Sequence, residues 1–214
     1  MKLFCRYFFS IVFAVTFAAC SSSEEDDEPY PSVITELGIL RVDKAQRVTL
    51  QTDGGAYYRI STKIEGLQSN VSMRVLCSYL PDGAGAAEVY TLQAIYVLPD
   101  VTKELTPAVY DPVGFVSAWK GGGFINLHLL PKTKANLNNH VWGFIRDNQR
   151  TNSAGGTTYE LSLYHDQKTD PLAYSNDLYL SLAIDSVSKS FGTQDSIELK
   201  VQGFDQQRIL KYGK

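Results

Sequence analysis

His165, one of three histidines in this chain, lies close to two carboxylates in the sequence. It ends a stretch of alternating apolar and polar residues, and Asp166 and Asp170 follow it. An imidazole exchanges protons near neutral pH, and carboxylate oxygens bind hard cations such as Ca²⁺. The spacing matches no calcium-binding loop, and Asp170 precedes Pro171 in a predicted turn. Two interpretations stay open: a site formed by His165, Asp166 and Asp170, with Asp177 as a further member, or structural hydrogen bonds.

Motifs for nucleophilic or phosphate chemistry are absent from the sequence. There is no Gly-x-Ser-x-Gly elbow, and Cys77 lies in an alternating stretch with no histidine beside it, which predicts an inert core thiol. Gly121–Gly123 and Asp82–Gly85 precede strand-like residues, so we expect hairpin turns rather than phosphate-binding loops. We therefore predict no catalytic residue, no metal and no cofactor, and a protein that is not an enzyme.

The N-terminus has the features of a bacterial lipoprotein signal peptide at residues 1–19. Lys2 and Arg6 precede an apolar run that no acidic residue interrupts and that is too short for a transmembrane helix. Phe17-Ala18-Ala19-Cys20 resembles a lipobox, which predicts cleavage before Cys20 and a diacylglyceryl group on its thiol, with acyl chains such as palmitate. The alternative is an ordinary secretory signal with a chance cysteine.

The residues after Cys20 are polar and acidic, and they predict an extended tether at 20–32. Five acids stand together at Glu24–Glu28. Such residues have little to bury and repel one another. An acidic stretch behind a lipidated cysteine resembles the signal that sends lipoproteins of certain Gram-negative bacteria to the outer face of the outer membrane. We expect an outer-membrane, lipid-anchored protein facing the cell exterior, with a plain spacer as the alternative.

The charge of the chain argues against nucleic acid as a partner. The full sequence has 20 basic and 23 acidic residues and a formal charge of -3. Without Lys2, Arg6 and the five acids of Glu24–Glu28, 18 basic and 18 acidic residues remain. A neutral body lacks the basic excess that neutralises phosphates, and its total charge predicts no field of one sign for steering a charged partner.

Alternating apolar and polar residues dominate the chain beyond residue 32. Val71–Tyr79 and Tyr159–Asp166 repeat with a period of two, which is typical of strands, and no window of twelve or more residues has helical apolar spacing. About twelve short strands predict an all-β protein built from barrels or sandwiches. The other predicted strands lie near 33–42, 47–52, 56–61, 87–98, 113–119, 123–131, 140–147, 177–187, 195–204 and 207–212.

The strand rhythm breaks at Pro99–Pro107 and again at Asp111-Pro112. Proline lacks the N–H that a β-ladder needs, so we place a domain boundary there and expect two independently folding domains. Five strands before the break suit a small OB-like Greek-key barrel, and seven after it suit an immunoglobulin-like β-sandwich. The predicted segments are the signal peptide, the lipidated tether, the barrel and the sandwich, at 1–19, 20–32, 33–106 and 107–214.

Several short motifs follow the lipobox and its acidic tail in a characteristic order. They are Asp111-Pro112-Val113, Gly123–Leu127, His140 at the start of a strand, and Leu161–Asp166 followed by Asp170. In these motifs the chain resembles the NigD-like lipoproteins over nearly its whole mature length. The resemblance implies an N-terminal OB-like domain and a C-terminal β-sandwich on a surface lipoprotein. The family is named from a bacteriocin locus, which implies a link to competition or immunity.

Together these features predict a surface-exposed, non-catalytic lipoprotein that binds a protein or a glycan at the cell exterior. The membrane is its partner through the N-terminal lipid at Cys20, and its role lies in bacteriocin, immunity or accessory functions. The alternative is an extracellular hydrolase or metal-dependent protein that uses His165, Asp166 and Asp170. A purely structural module is a third interpretation. The sequence indicates no oligomeric state.

Overall fold

The structure, a computed structural model, describes residues 32–98, 107–134 and 137–213. Ser32–Lys214 form one compact unit, which is built almost entirely of β-strands. The predicted signal peptide 1–19, the lipidation site Cys20 and nearly all of the predicted tether 20–32 lie outside the described residues. Across the described ranges, no helix has the length and apolarity needed to cross a membrane.

The N-terminal part is a closed five-stranded barrel. Its strands are β1 (Ile34–Val42), β2 (Val48–Thr52), β3 (Tyr57–Ile60), β4 (Val71–Pro81) and β5 (Ala86–Ala94). They follow the order β1-β2-β3-β5-β4 and close through β1 and β4, with only β3 and β5 parallel. This arrangement confirms the predicted OB-like Greek-key barrel. The alternating inward side chains form its core, namely Leu40, Leu50, Val75, Cys77, Tyr79 and Ala87.

The C-terminal part is a β-sandwich, as predicted. Its strands are β6 (Tyr96–Leu98), β7 (Gly114–Gly121), β8 (Phe124–Leu130), β9 (Lys132–Thr133), β10 (Val141–Thr151), β11 (Thr157–Asp166), β12 (Tyr174–Ser175), β13 (Leu178–Ala183), β14 (Ser196–Gln202) and β15 (Gln207–Gly213). One sheet has the order β10-β11-β14-β15, the other has the order β6-β13-β8-β7, and β9 pairs with β12. Alternate leucines, isoleucines and valines from both sheets form the buried core.

Two stretches predicted as single strands are divided in the structure. The strand predicted at 177–187 is wrong at its end, because one helical turn, α1 (Ile184–Val187), follows β13. There the Ile184 N–H donates to the carbonyl of Gly123 and the Ser188 N–H turns back onto Ile184. Alternation cannot reveal so short a helix, since four residues hold little more than one turn. The strand predicted at 87–98 is in fact β5 and β6, which belong to different sheets.

β6 lies before the predicted boundary at residue 106, yet it belongs to the sandwich. It runs parallel to β13, with Leu98 opposite Leu182. Leu98 is 7% exposed and packs in the sandwich core. The division into independently folding domains at 33–106 and 107–214 stays a prediction, and β6 is the element on which it depends.

Candidate functional site

His165 lies near the end of β11 and is almost completely buried, with 1% of its surface exposed. Its Nδ1 is 2.9 Å from the carbonyl oxygen of Asp111. A carbonyl oxygen only accepts hydrogen bonds, so Nδ1 carries a proton and donates it. Burial lowers the pKa of His165 from its ordinary value of 6.5, because the imidazolium is poorly solvated there. His165 is therefore neutral, and its Nε2 is an acceptor.

His140, which the sequence marks only as the start of a strand, contacts that second ring nitrogen. His140 Nδ1 lies 3.0 Å from Nε2 of His165, and His140 Nε2 lies 3.2 Å from Oδ2 of Asp170. A carboxylate oxygen only accepts, so His140 donates to Asp170 through Nε2, and its Nδ1 shares a hydrogen bond with Nε2 of His165. The side chains of His140 and Asp170 are 0% and 4% exposed, so their contact is buried.

The carboxylate of Asp170 has further donors that keep it ionised. Thr133 Oγ1 donates to Oδ2, and the Lys134 N–H donates to Oδ1 over 3.1 Å. These hydrogen bonds, the one from Thr133 first, lower the pKa of Asp170 below its ordinary value, and His140 adds to the effect. Asp170 therefore accepts at both oxygens, as donation from Nε2 of His140 requires.

Trp142 closes this group of side chains on one face. It lies opposite His165 in the β10–β11 ladder, and the two rings stack with centroids 3.9 Å apart at an angle of 7°. Every ring nitrogen and carboxylate oxygen of His140, His165 and Asp170 thus has a partner inside the protein. We call these three side chains, with the Asp111 carbonyl and Trp142, the imidazole cluster. The internal hydrogen bonds fix the orientations of its rings and of the carboxylate, which suits a structural role.

Asp166 and Asp177, the other acids considered from the sequence, are not part of the imidazole cluster. Asp166 accepts from the N–H of Lys168 over 2.9 Å and from its Nζ over 2.5 Å. These bonds lower the pKa of Asp166. Asp177 instead lies 2.6 Å from Nε2 of His128 and is 70% exposed. The structure therefore brings His165 and Asp170 to a common partner, His140. Asp166 and Asp177 contact other residues instead.

The described residues include no group of three or more His, Cys, Asp or Glu side chains that could hold a metal ion. Cys77, the only cysteine in the described ranges, is completely buried in the barrel. Burial raises the pKa of its thiol to about 11, with the nearby charge of Glu36 as a smaller cause. The thiol is therefore protonated at neutral pH, and the prediction of a core residue is confirmed.

A second buried polar group, unforeseen from the sequence, joins the barrel to the sandwich. Arg74 of β4 is 4% exposed, and its guanidinium donates to both oxygens of Asp53 over 2.5 Å. It also donates to Asn126 on β8 over 3.0 Å and to Ser181 on β13 over 3.3 Å. The Arg74 guanidinium lies 4.2 Å from the centre of the Phe124 ring. We call Arg74, Asp53, Asn126 and Ser181 the Arg74 cluster.

A groove of about 1030 Å³ lies against the end of β1, the start of β2, the short strand β3 and the start of β4. Tyr57 and Arg59 point outward from β3 and are exposed, whereas Tyr58 between them packs on the barrel core. Tyr57 and Tyr58 thus point to opposite faces of the strand, as neighbours in a β-strand do. We call this surface the barrel groove, and the residues used below are Arg41, Arg47, Thr49, Tyr57, Arg59 and Lys63.

A comparison with family profiles matches one family, described as "NigD-like C-terminal beta sandwich domain", over residues 98–212. The match begins at the last residue of β6 and covers the sandwich. No curated protein matches the chain.

Several crystal structures share the fold. A NigD-like immunity protein from Bacteroides caccae is 28% identical, with a TM-score of 0.65 over 86% of this chain and 94% of that one. A putative toxin related protein from Parabacteroides distasonis is 16% identical, with a TM-score of 0.71 over 86% and 93%. A putative lipoprotein from Bacteroides fragilis is 11% identical, with a TM-score of 0.55 over 84% and 98%. The last two likenesses concern the fold alone.

Proposed function

Since the chain belongs to the NigD-like family, we propose that it is a non-catalytic lipoprotein that binds a protein or a glycan at the cell exterior. Its role lies in immunity to a competitor's toxin or in a related accessory function. The similar protein from Bacteroides caccae, named an immunity protein, supports this assignment.

One observation carries the non-catalytic part of the proposal: the imidazole cluster has no group left for a substrate. The ring nitrogens of His140 and His165 and the oxygens of Asp170 all bond within the protein, and the side chains are buried. A general acid or base must reach the atom whose proton it moves. No feature of this geometry favours the alternative of a hydrolase at His165, Asp166 and Asp170.

The membrane part of the proposal rests on the sequence and concerns residues outside the described ranges. Cys20 is the acylated N-terminus of the mature protein, and Glu24–Glu28 direct it to the outer face of the outer membrane. More than one acyl chain anchors a protein stably, where a single chain does not.

Labelling and shaving test the membrane part separately from binding. Metabolic labelling with palmitate should follow the wild-type protein and disappear in Cys20→Ala, and label that persists in the variant contradicts acylation at Cys20. Protease added to intact cells should remove the protein. Full protection from protease would place it on the inner side of the outer membrane.

Site-specific photo-crosslinking on intact cells tests binding. Tyr57, Tyr90 and Tyr174 are 57%, 51% and 73% exposed and sample the barrel and the sandwich. A crosslinking amino acid is placed at each of these positions in turn. At least one of the three positions should capture a protein or a glycan. The captured molecule, once purified, should bind the full-length protein. If none of the three positions captures a molecule that binds on its own, the proposed binding function fails.

A further inference from the structure

The barrel groove is a binding site for an anionic glycan, a polysaccharide that bears carboxylate or sulfate groups, as we infer from its charge and shape. The inference rests on the proposed function and names the class of ligand. The neutral total charge of the chain gives no sign of this surface, where basic side chains from neighbouring strands of the barrel lie together.

The groove concentrates positive charge on a molecule that is otherwise balanced. Its lining includes four basic side chains and one acidic side chain, Asp43. Beyond residue 28, and so without Lys2, Arg6 and the five acids of Glu24–Glu28, the chain carries 18 basic and 18 acidic residues. The excess of positive charge in the groove is therefore local. A concave surface lined by one sign of charge attracts the opposite sign.

Two of these arginines stand in one row of the β-sheet. Arg41 on β1 lies opposite Thr49 on β2, and Thr49 lies opposite Arg59 on β3. Adjacent strands are about 4.8 Å apart, so the two arginine backbones are separated by roughly 10 Å. Such a row presents two guanidinium groups with a hydroxyl between them, which suits a chain molecule that carries hydroxyls and spaced anionic groups.

The arginines of this row are available to a ligand. Arg59 is exposed, and its side chain makes no hydrogen bond or ion pair with any described residue, although its charge acts on Asp82. Arg41 is also exposed and donates only to the neutral amide of Gln51, over 2.9 Å. Arg47, by contrast, is held 2.6 Å from Asp43. Arg41 and Arg59 therefore have charges that no carboxylate of the described chain balances at contact distance.

The composition of the barrel groove favours a glycan over a protein or a nucleic acid. Protein interfaces are depleted of charge at their core, where apolar and aromatic anchors are buried, whereas five charged side chains line this groove. Single-stranded nucleic acids need a series of aromatic side chains for successive bases, and Tyr57 is the one exposed aromatic ring among the lining residues. One ring flanked by donors suits a sugar face with its hydroxyl and acid groups.

Direct binding measurements with the full-length, detergent-solubilised protein test the inference. The probes are polygalacturonate and dextran sulfate, with neutral dextran, polyglutamate and oligothymidylate as comparisons. The variant is Arg41→Ala with Arg59→Ala. The control is Lys189→Ala with Lys211→Ala, which removes two charges from exposed positions of the sandwich. Both double variants have the same net charge, so a difference between them reports position.

At least one anionic glycan should bind the wild type and the lysine control alike. The arginine variant should bind it about tenfold or more weakly, because each charge-assisted hydrogen bond contributes that order of affinity. Added salt should weaken binding, and Tyr57→Ala should weaken it while Tyr174→Ala should not. The inference is overturned if no anionic glycan binds, if the two double variants weaken equally, or if polyglutamate or oligothymidylate binds as tightly as the glycans.

The result also separates this inference from the proposed function. If crosslinking on cells yields a partner whose affinity is unchanged in the arginine variant, the protein is a binding protein and the groove is not its glycan site. If crosslinking yields none, while the purified protein binds the glycans through Arg41 and Arg59, the groove inference stands and the cellular role fails.

Discussion

A buried imidazole is stable only when the atoms beside both of its nitrogens suit its protonation state. In the imidazole cluster, the Asp111 carbonyl and the Asp170 carboxylate stand at opposite ends and both accept. Three hydrogen bonds join the two rings to each other and to these two acceptors, so no member can be removed without leaving a buried group unpaired.

Replacing His165 by alanine should lower the free energy of unfolding by about 1–3 kcal/mol, because it leaves buried groups at Asp111 and His140 without a partner. Urea unfolding followed by tryptophan fluorescence measures the loss. His128→Ala is the matched control, since His128 bonds to Asp177, a 70% exposed carboxylate that water can solvate instead. A loss no larger than that of the control would show that the imidazole cluster is not structural.

Acid should destabilise the protein through His165 before it protonates most carboxylates. The folded pKa of His165 is lowered from 6.5, so as the pH falls below 6.5 the unfolded chain binds a proton that the folded chain does not. The free energy of unfolding therefore decreases toward acid pH. Asp170 adds to this effect only at lower pH. Because its pKa is lowered in the folded chain, its carboxylate stabilises the fold above about pH 4, and this contribution is lost on further acidification.

The pH effect is checked by measuring unfolding of the wild type and of His165→Gln between pH 7.5 and 5. Glutamine does not titrate, so the stability of the variant should depend less on pH in this range. Equal slopes for the two proteins would mean that His165 binds its proton as easily in the folded chain as in the unfolded one.

Sequence reasoning at the residue scale succeeds where neighbours in the chain decide the outcome. The alternation around Cys77 and His165 predicts inward side chains, and both are buried. The partner of His165 cannot be found in this way, since His140 is 25 residues away and reaches it through the pairing of β10 with β11. Asp166 is adjacent to His165 in sequence and makes its contacts with Lys168 instead.

At the scale of elements, the Arg74 cluster explains a glycine run that the sequence marks only as a hairpin turn. The turn between β7 and β8 lies against Asp53, and a Cβ on Gly122 would come within 2.2 Å of its Oδ1. Gly122 also has a φ of 58°, a left-handed conformation that glycine adopts easily. The turn thus needs glycine both for its backbone and for close approach to the ion pair.

Arg74→Met should be strongly destabilising, by about 3–5 kcal/mol, because it leaves the Asp53 carboxylate without its buried partner. Arg74→Met with Asp53→Asn should recover much of this loss, since no buried charge is then unpaired. Urea unfolding of the wild type and both variants measures the effect, and mass spectrometry of Cys77 after thiol labelling reports opening of the barrel. If the double variant is as unstable as the single one, the charge pairing is not the cause.

The elements themselves are mostly predictable, and their partners are not. Period-two alternation locates the strands because one face of each is buried. It cannot reveal that β6 leaves the barrel, since its three residues follow β5 after a single residue, Ile95. The Arg74 cluster is likewise invisible in sequence, because its members come from β4, β8, β13 and the turn after β2. A lone arginine within the apolar pattern of β4 is the only signal.

At the scale of the whole molecule, a balanced total charge coexists with a positive groove. The count of charged residues correctly describes the chain beyond residue 28 as neutral. It does not show how these charges are distributed over the surface of the folded protein. Arg41 and Arg59 are 18 residues apart in sequence and reach the same row only through two antiparallel pairings. Exclusions based on net charge therefore hold for the molecule as a whole and not for each of its surfaces.

β6 decides how far the barrel and the sandwich can fold as separate domains. A fragment of residues 107–214 follows the boundary predicted from sequence, but it lacks β6, which pairs with β13 and places Leu98 in the sandwich core. Without β6, the edge of β13 is unpaired and open to pairing with other chains. A void replaces Leu98, which should cost about 2–5 kcal/mol.

We therefore expect the fragment 107–214 to be less stable and more prone to aggregate than a fragment of residues 95–214, which retains β6. Both fragments lack Arg74, so both expose Asn126 and Ser181, and the comparison isolates the contribution of the strand. Urea unfolding and size-exclusion chromatography of the two measure the difference. Equal stability and equal solubility would mean that the sandwich folds without β6 and that the boundary at 106 and 107 is right.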